Sequence, residues 1–70
     1  MRVQANGEVR EFPEGTTLGE VVARLTAATP AVPPGVAAAV NETVVPRSRW
    51  ATTALREGDR VEVLTAVQGG

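Results

Sequence analysis

Met1, Val3 and Ala5 alternate with Arg2 and Gln4, the period-two pattern of a strand with one buried face. Asn6-Gly7 follows, the preferred pair for a two-residue hairpin turn because both positions must tolerate positive φ. The return strand runs from about Glu8 to Phe12. Val9 and Phe12 cannot share a face of a regular strand, which places Phe12 where the chain leaves the sheet at Pro13. Pro13-Glu14-Gly15 is a turn, and the period then changes. Thr17-Leu18-Gly19-Glu20 fits a capping box, in which the hydroxyl covers a free backbone N–H and the glutamate reaches back. Leu18, Val21, Val22 and Leu25 then fall at i, i+3, i+4 and i+7, one apolar stripe of a helix. Glu20 and Arg24 are spaced to pair on its solvent side. The helix is expected to fade near Ala28, because Pro30 and then Pro33-Pro34-Gly35 cannot continue it.

Val36 to Val40 is an apolar run of strand length, Asn41-Glu42 a turn, and Thr43-Val44-Val45 a short strand that Pro46 ends. Arg47 to Leu55, with Trp50 inside it, reads as an irregular connection. Glu57-Gly58-Asp59 turns the chain into a last strand from Arg60 to Val67. The order strand, strand, helix, strand, strand, strand predicts an α+β fold in one domain spanning residues 1–70. One main helix would pack across a mixed four- to five-stranded sheet, with the first and last strands side by side at its centre. Residues 68–70 would form a flexible C-terminal tail.

Composition narrows what such a domain can do. Of 70 residues, 43% are hydrophobic, and Ala and Val supply 23 of those 30. That builds one thin layer against a sheet rather than an enclosed substrate pocket. There is no Cys and no His, which excludes disulfides, thiolate or imidazole zinc sites, Cys-His pairs and Ser-His-Asp triads. The basic residues are seven Arg against eight acidic groups, a net charge of -1 that is even along the chain. Nucleic-acid binding needs a clustered positive surface and stacking aromatics, and the chain has two aromatic residues. No apolar window is long enough to span a membrane. The charged first residues do not resemble a signal peptide, so the expectation is a soluble, cytoplasmic protein.

The chain ends Gln68-Gly69-Gly70. Two residues without Cβ make a thin tail, able to thread a narrow channel and deliver the Gly70 carboxylate into another protein's active site. Other candidates weigh less. Glu8, Glu11 and Glu14 suggest an acidic cluster, but carboxylates on a strand and turn are usually a solvated surface. Gly15-Thr16-Thr17 opens a helix as an anion site does, yet it lacks the spacing and lysine of a phosphate loop. Ser48 has no base to activate it. Arg47 and Arg49 flank it as loop charges that could meet an anion, and Trp50 is expected to plug the open side of the sheet.

Residues Asn41 to Gly70 resemble the second half of the ThiS family, the sulfur carriers of thiamin biosynthesis. The likeness is carried by Val45-Pro46-Arg47-x-x-Trp50, Gly58-Asp59-x-Val61-Glu62 and Ala66-Val67-Gln68-Gly69-Gly70. The first half agrees in layout, and Thr29 to Pro34 shows no specific match. The resemblance implies a β-grasp, ubiquitin-like fold and a carrier that is modified by enzymes rather than an enzyme itself. It implies that an activating enzyme, using ATP and magnesium, adenylates the Gly70 carboxylate. A persulfide, from a cysteine desulfurase or an equivalent donor, would then convert the adenylate to a thiocarboxylate, and thiazole synthase would accept the sulfur. The domain itself would bind no cofactor. Gly69 and Gln68 would thread the partner's site. If Val61 and Val63 face the helix, then Glu62, Leu64 and Ala66 face outward beside Ala37 and Ala39, and with Val67 they are the expected docking residues. The fold and Gly-Gly end are shared with the small subunit of molybdopterin synthase and with ubiquitin-like modifiers. Val40-Asn41-x-x-Val44-Val45-Pro46 with the Gly58–Thr65 run is also similar to TGS interaction modules.

Overall fold

The computed structural model describes residues 1–26 and 34–65. Strands β1 (Arg2–Ala5) and β2 (Glu8–Glu11) form the first hairpin, and helix α1 (Leu18–Thr26) follows. Strands β3 (Val36–Val40) and β4 (Thr43–Val45) form the second hairpin, and β5 (Arg60–Thr65) ends the described chain. The sheet order is β2-β1-β5-β3-β4. β5 lies parallel to β1 and antiparallel to β3, so the first and last strands meet at the centre as expected. This single sheet with one main helix is the β-grasp arrangement. The expected helix end at Ala28, the Thr29–Pro33 stretch and Ala66, Val67, Gln68, Gly69 and Gly70 lie outside the described residues.

The predicted alternation sorts side chains between two faces. Val3, Ala5, Ala38, Val61 and Val63 are buried on the inner face, against Leu18, Val21 and Val22 of α1. Leu25, the fourth member of the helical stripe, is only partly buried. Each fully buried Val or Leu contributes about 1.5–3 kcal/mol, so this short list supplies most of the driving force for folding. Phe12, Trp50 and Leu55 close the sides of the layer. Phe12 is buried although Val9 is exposed, because the chain leaves β2 there while the Phe12 N–H still donates to Met1 O at 2.8 Å. The capping box forms, with Glu20 N donating to Thr17 Oγ1 at 3.3 Å and Thr17 N to Glu20 Oε1 at 3.4 Å.

Two expectations need correction. Glu20 and Arg24 form no ion pair: the glutamate is engaged in the cap, and Arg24 lies over the Phe12 ring, 5.8 Å from its centroid. Nor is the connection after Pro46 irregular, for Arg47–Thr52 forms a 3-10 helix. Arg49 N donates to Pro46 O at 2.8 Å, and the Thr53 hydroxyl to Arg49 O at 2.7 Å. The buried Trp50 anchors this turn, its indole N–H donating to Val45 O at 2.9 Å.

Both hairpin turns bond to β5. Asn6 and Asn41 each hold a left-handed backbone, with φ of 48° and 49°. The Asn6 amide accepts from Val63 N at 2.8 Å and donates to Val63 O at 3.3 Å, extending the short β1–β5 ladder by side chain where β1 has already turned away. From the other flank, Asn41 Oδ1 accepts from Arg60 N at 3.0 Å and Asn41 Nδ2 donates to Asp59 Oδ1 at 3.0 Å. Replacing Asn6 with Gly keeps the turn conformation and removes only the amide. Asn6→Gly is therefore expected to lose about 1–2 kcal/mol, read by urea unfolding, with faster hydrogen exchange at the Val63 amide.

Candidate functional site

The inner face is committed to the core, which leaves the outer face of the sheet as the candidate recognition surface. Its composition follows from register. Gln4 pairs with Val9 on one side and with Arg60 on the other. Leu64 sits beside Ala37, Glu62 beside Ala39, and Ala39 beside Val44. The exposed large hydrophobic residues Val9, Val44 and Leu64, at 65%, 71% and 71% accessibility, therefore all share this face. Ala37 and Ala39 matter because they are short. Flanked by Val44 and Leu64, they floor a shallow apolar depression of about 290 Å³, with Glu42 and Glu62 at its edge. A second, more polar depression of about 200 Å³ adjoins Gln4 and Arg60 and shares Glu42 and Glu62.

Among the expected docking residues, Glu62 and Leu64 are exposed side by side on β5 as predicted, while Ala66 and Val67 fall outside the described residues. Val44 and Glu42 belong to the same surface and were not anticipated. The signal was present: a two-residue turn at Asn41-Glu42 forces Val44 opposite Ala39, and hence onto the face that holds Leu64. Glu42 carries a positive φ of 71° and an exposed ion pair with Arg60 at 3.8 Å.

The alternative sites do not assemble. Glu8 pairs with Arg10 at 3.3 Å, Glu11 with Arg2 at 3.7 Å, and Glu14 with the amino terminus at 3.7 Å. No group of three acidic residues that could hold a metal occurs among the described residues. The helix start is likewise committed. Thr16 donates its hydroxyl to Pro13 O at 2.7 Å, and its N–H to the same oxygen at 3.2 Å. Leu18 N donates to Thr53 O at 2.8 Å. Arg47 stacks over the Trp50 ring, 5.3 Å from its centroid. Among the described residues, no helix is long and apolar enough to cross a membrane.

The ThiS family model matches residues 3–70. The chain is similar to the sulfur carrier protein ThiS of Escherichia coli (strain K12), 27% identical over 70 residues and covering all of both chains. It also superposes on the crystal structure of the thiamine biosynthesis protein ThiS from Geobacter metallireducens, with a TM-score of 0.76, 26% identity and full coverage of both chains. The solution structure of a thiamine biosynthesis protein from the same organism gives 0.74 at 26% identity, covering 100% of this chain and 88% of that one.

The two faces of β5 make opposite predictions for adjacent residues. Leu64→Asp places a charge in water and is expected to change stability by less than about 0.5 kcal/mol. Val63→Asp buries an unpaired carboxylate and is expected to abolish the cooperative unfolding transition. Circular dichroism through a urea titration distinguishes the two.

Proposed function

Because this chain belongs to the ThiS family of sulfur carriers, we propose that the carboxylate of Gly70 carries sulfur for assembly of the thiazole ring of thiamin. The family match carries this reading, since it spans the body and runs through the terminal Gly-Gly. A carboxylate is a poor electrophile, and adenylation remedies that. One oxygen of Gly70 attacks the α-phosphorus of ATP, pyrophosphate leaves, and the acyl carbon now bears AMP as a good leaving group. The terminal sulfur of a persulfide attacks that carbon and expels AMP. A thiolate then attacks the sulfur of the persulfide's parent cysteine, forming a disulfide with it, and the electron pair of the broken S–S bond leaves on the thiocarboxylate. This group is ionised at neutral pH and presents a soft, nucleophilic sulfur to thiazole synthase.

The residues of this chain fit the role of co-substrate. ATP and magnesium belong to the activating enzyme, and catalytic groups to the partners, so the body needs to be gripped and the tail to reach. Gly69, without a Cβ, is narrow enough to follow Gly70 into a channel, with Gln68 behind it. Leu64 and Glu62 form the described part of the docking surface, and the Ala37–Ala39 floor beside them leaves room for a partner's side chain; Ala66 and Val67 follow in sequence and are assigned to the same contact. The setting consistent with ATP and cysteine-derived sulfur is the cytoplasm.

Intact-mass measurement of the protein from its native host tests the chemistry. A population heavier by one oxygen-to-sulfur exchange is expected, and it disappears when Gly70 is deleted. Finding only the unmodified mass while thiamin synthesis is induced would contradict the carrier role, and conjugates to other proteins would favour a modifier. The docking surface has its own test. Leu64→Asp is expected to raise the KM for carrier in the adenylation reaction by about tenfold or more, measured as ATP–pyrophosphate exchange.

A further inference from the structure

The two hairpin turns do the same structural work with different residues. Asn6-Gly7 and Asn41-Glu42 both join antiparallel strands, and both asparagines bond to the flank of β5. Each turn needs a left-handed backbone at its second position, φ of 85° at Gly7 and 71° at Glu42. Glycine adopts that conformation without cost, whereas a Cβ crowds the neighbouring carbonyl. The protein thus places glycine in one turn and carries a strained glutamate in the other. Turn geometry does not call for that carboxylate, and its local contact offers little in return. The partner within the chain is Arg60 at 3.8 Å, and both side chains are more than half exposed, the class of ion pair that contributes little to stability.

Position supplies the reason. Glu42 borders both depressions of the outer face. With Glu62 it flanks the apolar floor of Ala37 and Ala39 between Val44 and Leu64. We propose that Glu42 is a specificity-determining residue, which meets an arginine or lysine of the activating enzyme while an apolar side chain of that enzyme fills the depression. This rests on the carrier reading above and adds the chemistry of the partner. An apolar centre with carboxylates at its edge matches a basic, apolar surface, and it rejects an acidic one at the same position. Arg60 is exposed enough to yield Glu42 to the incoming cation.

The proposal makes an unusual prediction, in which stability and function move in opposite directions. Glu42→Gly relieves the left-handed strain and is expected to keep or raise the Tm. It is also expected to raise the KM for carrier about 3- to 10-fold, with kcat unchanged at saturation, and to flatten the dependence of KM on ionic strength. Glu42→Gln keeps the side-chain volume and the strained backbone but lacks the charge, and it should raise KM to a similar extent. The assay is ATP–pyrophosphate exchange with the full chain and the activating enzyme of the same host, with Leu64→Asp in parallel. If both Glu42 variants match the parent in KM while Leu64→Asp does not, the inference is overturned and the docking surface stands. If Leu64→Asp also matches the parent, the docking reading itself fails. A self-association of the parent that both Glu42 variants abolish, seen by sedimentation, would assign the face to a second copy of this chain and overturn the inference.

Discussion

The pairing of β5 on both flanks organises this molecule. A strand that arrives last in sequence is inserted between β1 and β3, one neighbour parallel and the other antiparallel. Its alternation then decides which residues drive folding and which face outward: Val61 and Val63 enter the core, and Glu62 and Leu64 leave it. The insertion is hard to hold by main chain alone, because β1 pairs with β5 over only a short stretch. Side-chain amides from the two turns supply what the ladder lacks. Asn6 bonds both backbone groups of Val63, and Asn41 bonds the start of the strand at Arg60.

The thin core follows from size. A chain of 70 residues buries about 60% of the surface its unfolded form exposes, and here one helix against one sheet face accounts for most of it. Single bulky residues close the gaps that a larger protein would fill with whole elements. Phe12 seals one margin under Arg24. Trp50 seals another, its indole N–H satisfied by Val45 O at 2.9 Å. The interior is used up by stability, and the depressions of the described body lie on its exterior face.

Much of this was legible because local rules and tertiary demands agree. Asn6-Gly7 announced a hairpin, Thr17 with Glu20 announced a helix start, and the alternation of Val61 and Val63 with Glu62 and Leu64 announced two faces. The misses depend on information that lies outside the local pattern of any one element. Glu20 is correctly spaced for Arg24, but the cap is nearer, and the arginine finds an aromatic ring instead. The 3-10 helix at Arg47–Thr52 has no amphipathic period to reveal it, since it is stabilised by one buried tryptophan and by hydroxyls returning to Arg49 O. The outer-face membership of Val44 and Glu42 requires register across two strands, which a single strand pattern does not contain. The likeness of the terminal segment to a known family, by contrast, was visible in the residues themselves.

A strand held along both flanks responds in a particular way to traction. When a partner grips the outer face and draws on the chain beyond Thr65, the load enters β5 along its own axis. The bonds that Gln4 and Asn6 make to Asp59, Val61 and Val63, and those to β3, then resist together in shear, rather than opening one after another as they would at a frayed edge. That load meets the Thr65 and Leu64 pairs with β3 first, and on the β1 side it meets the amide of Asn6, seated at Val63 two residues before the described strand ends. In this sense the fold behaves as a handle: force applied to deliver or withdraw the terminus is spread across the sheet and the body stays intact.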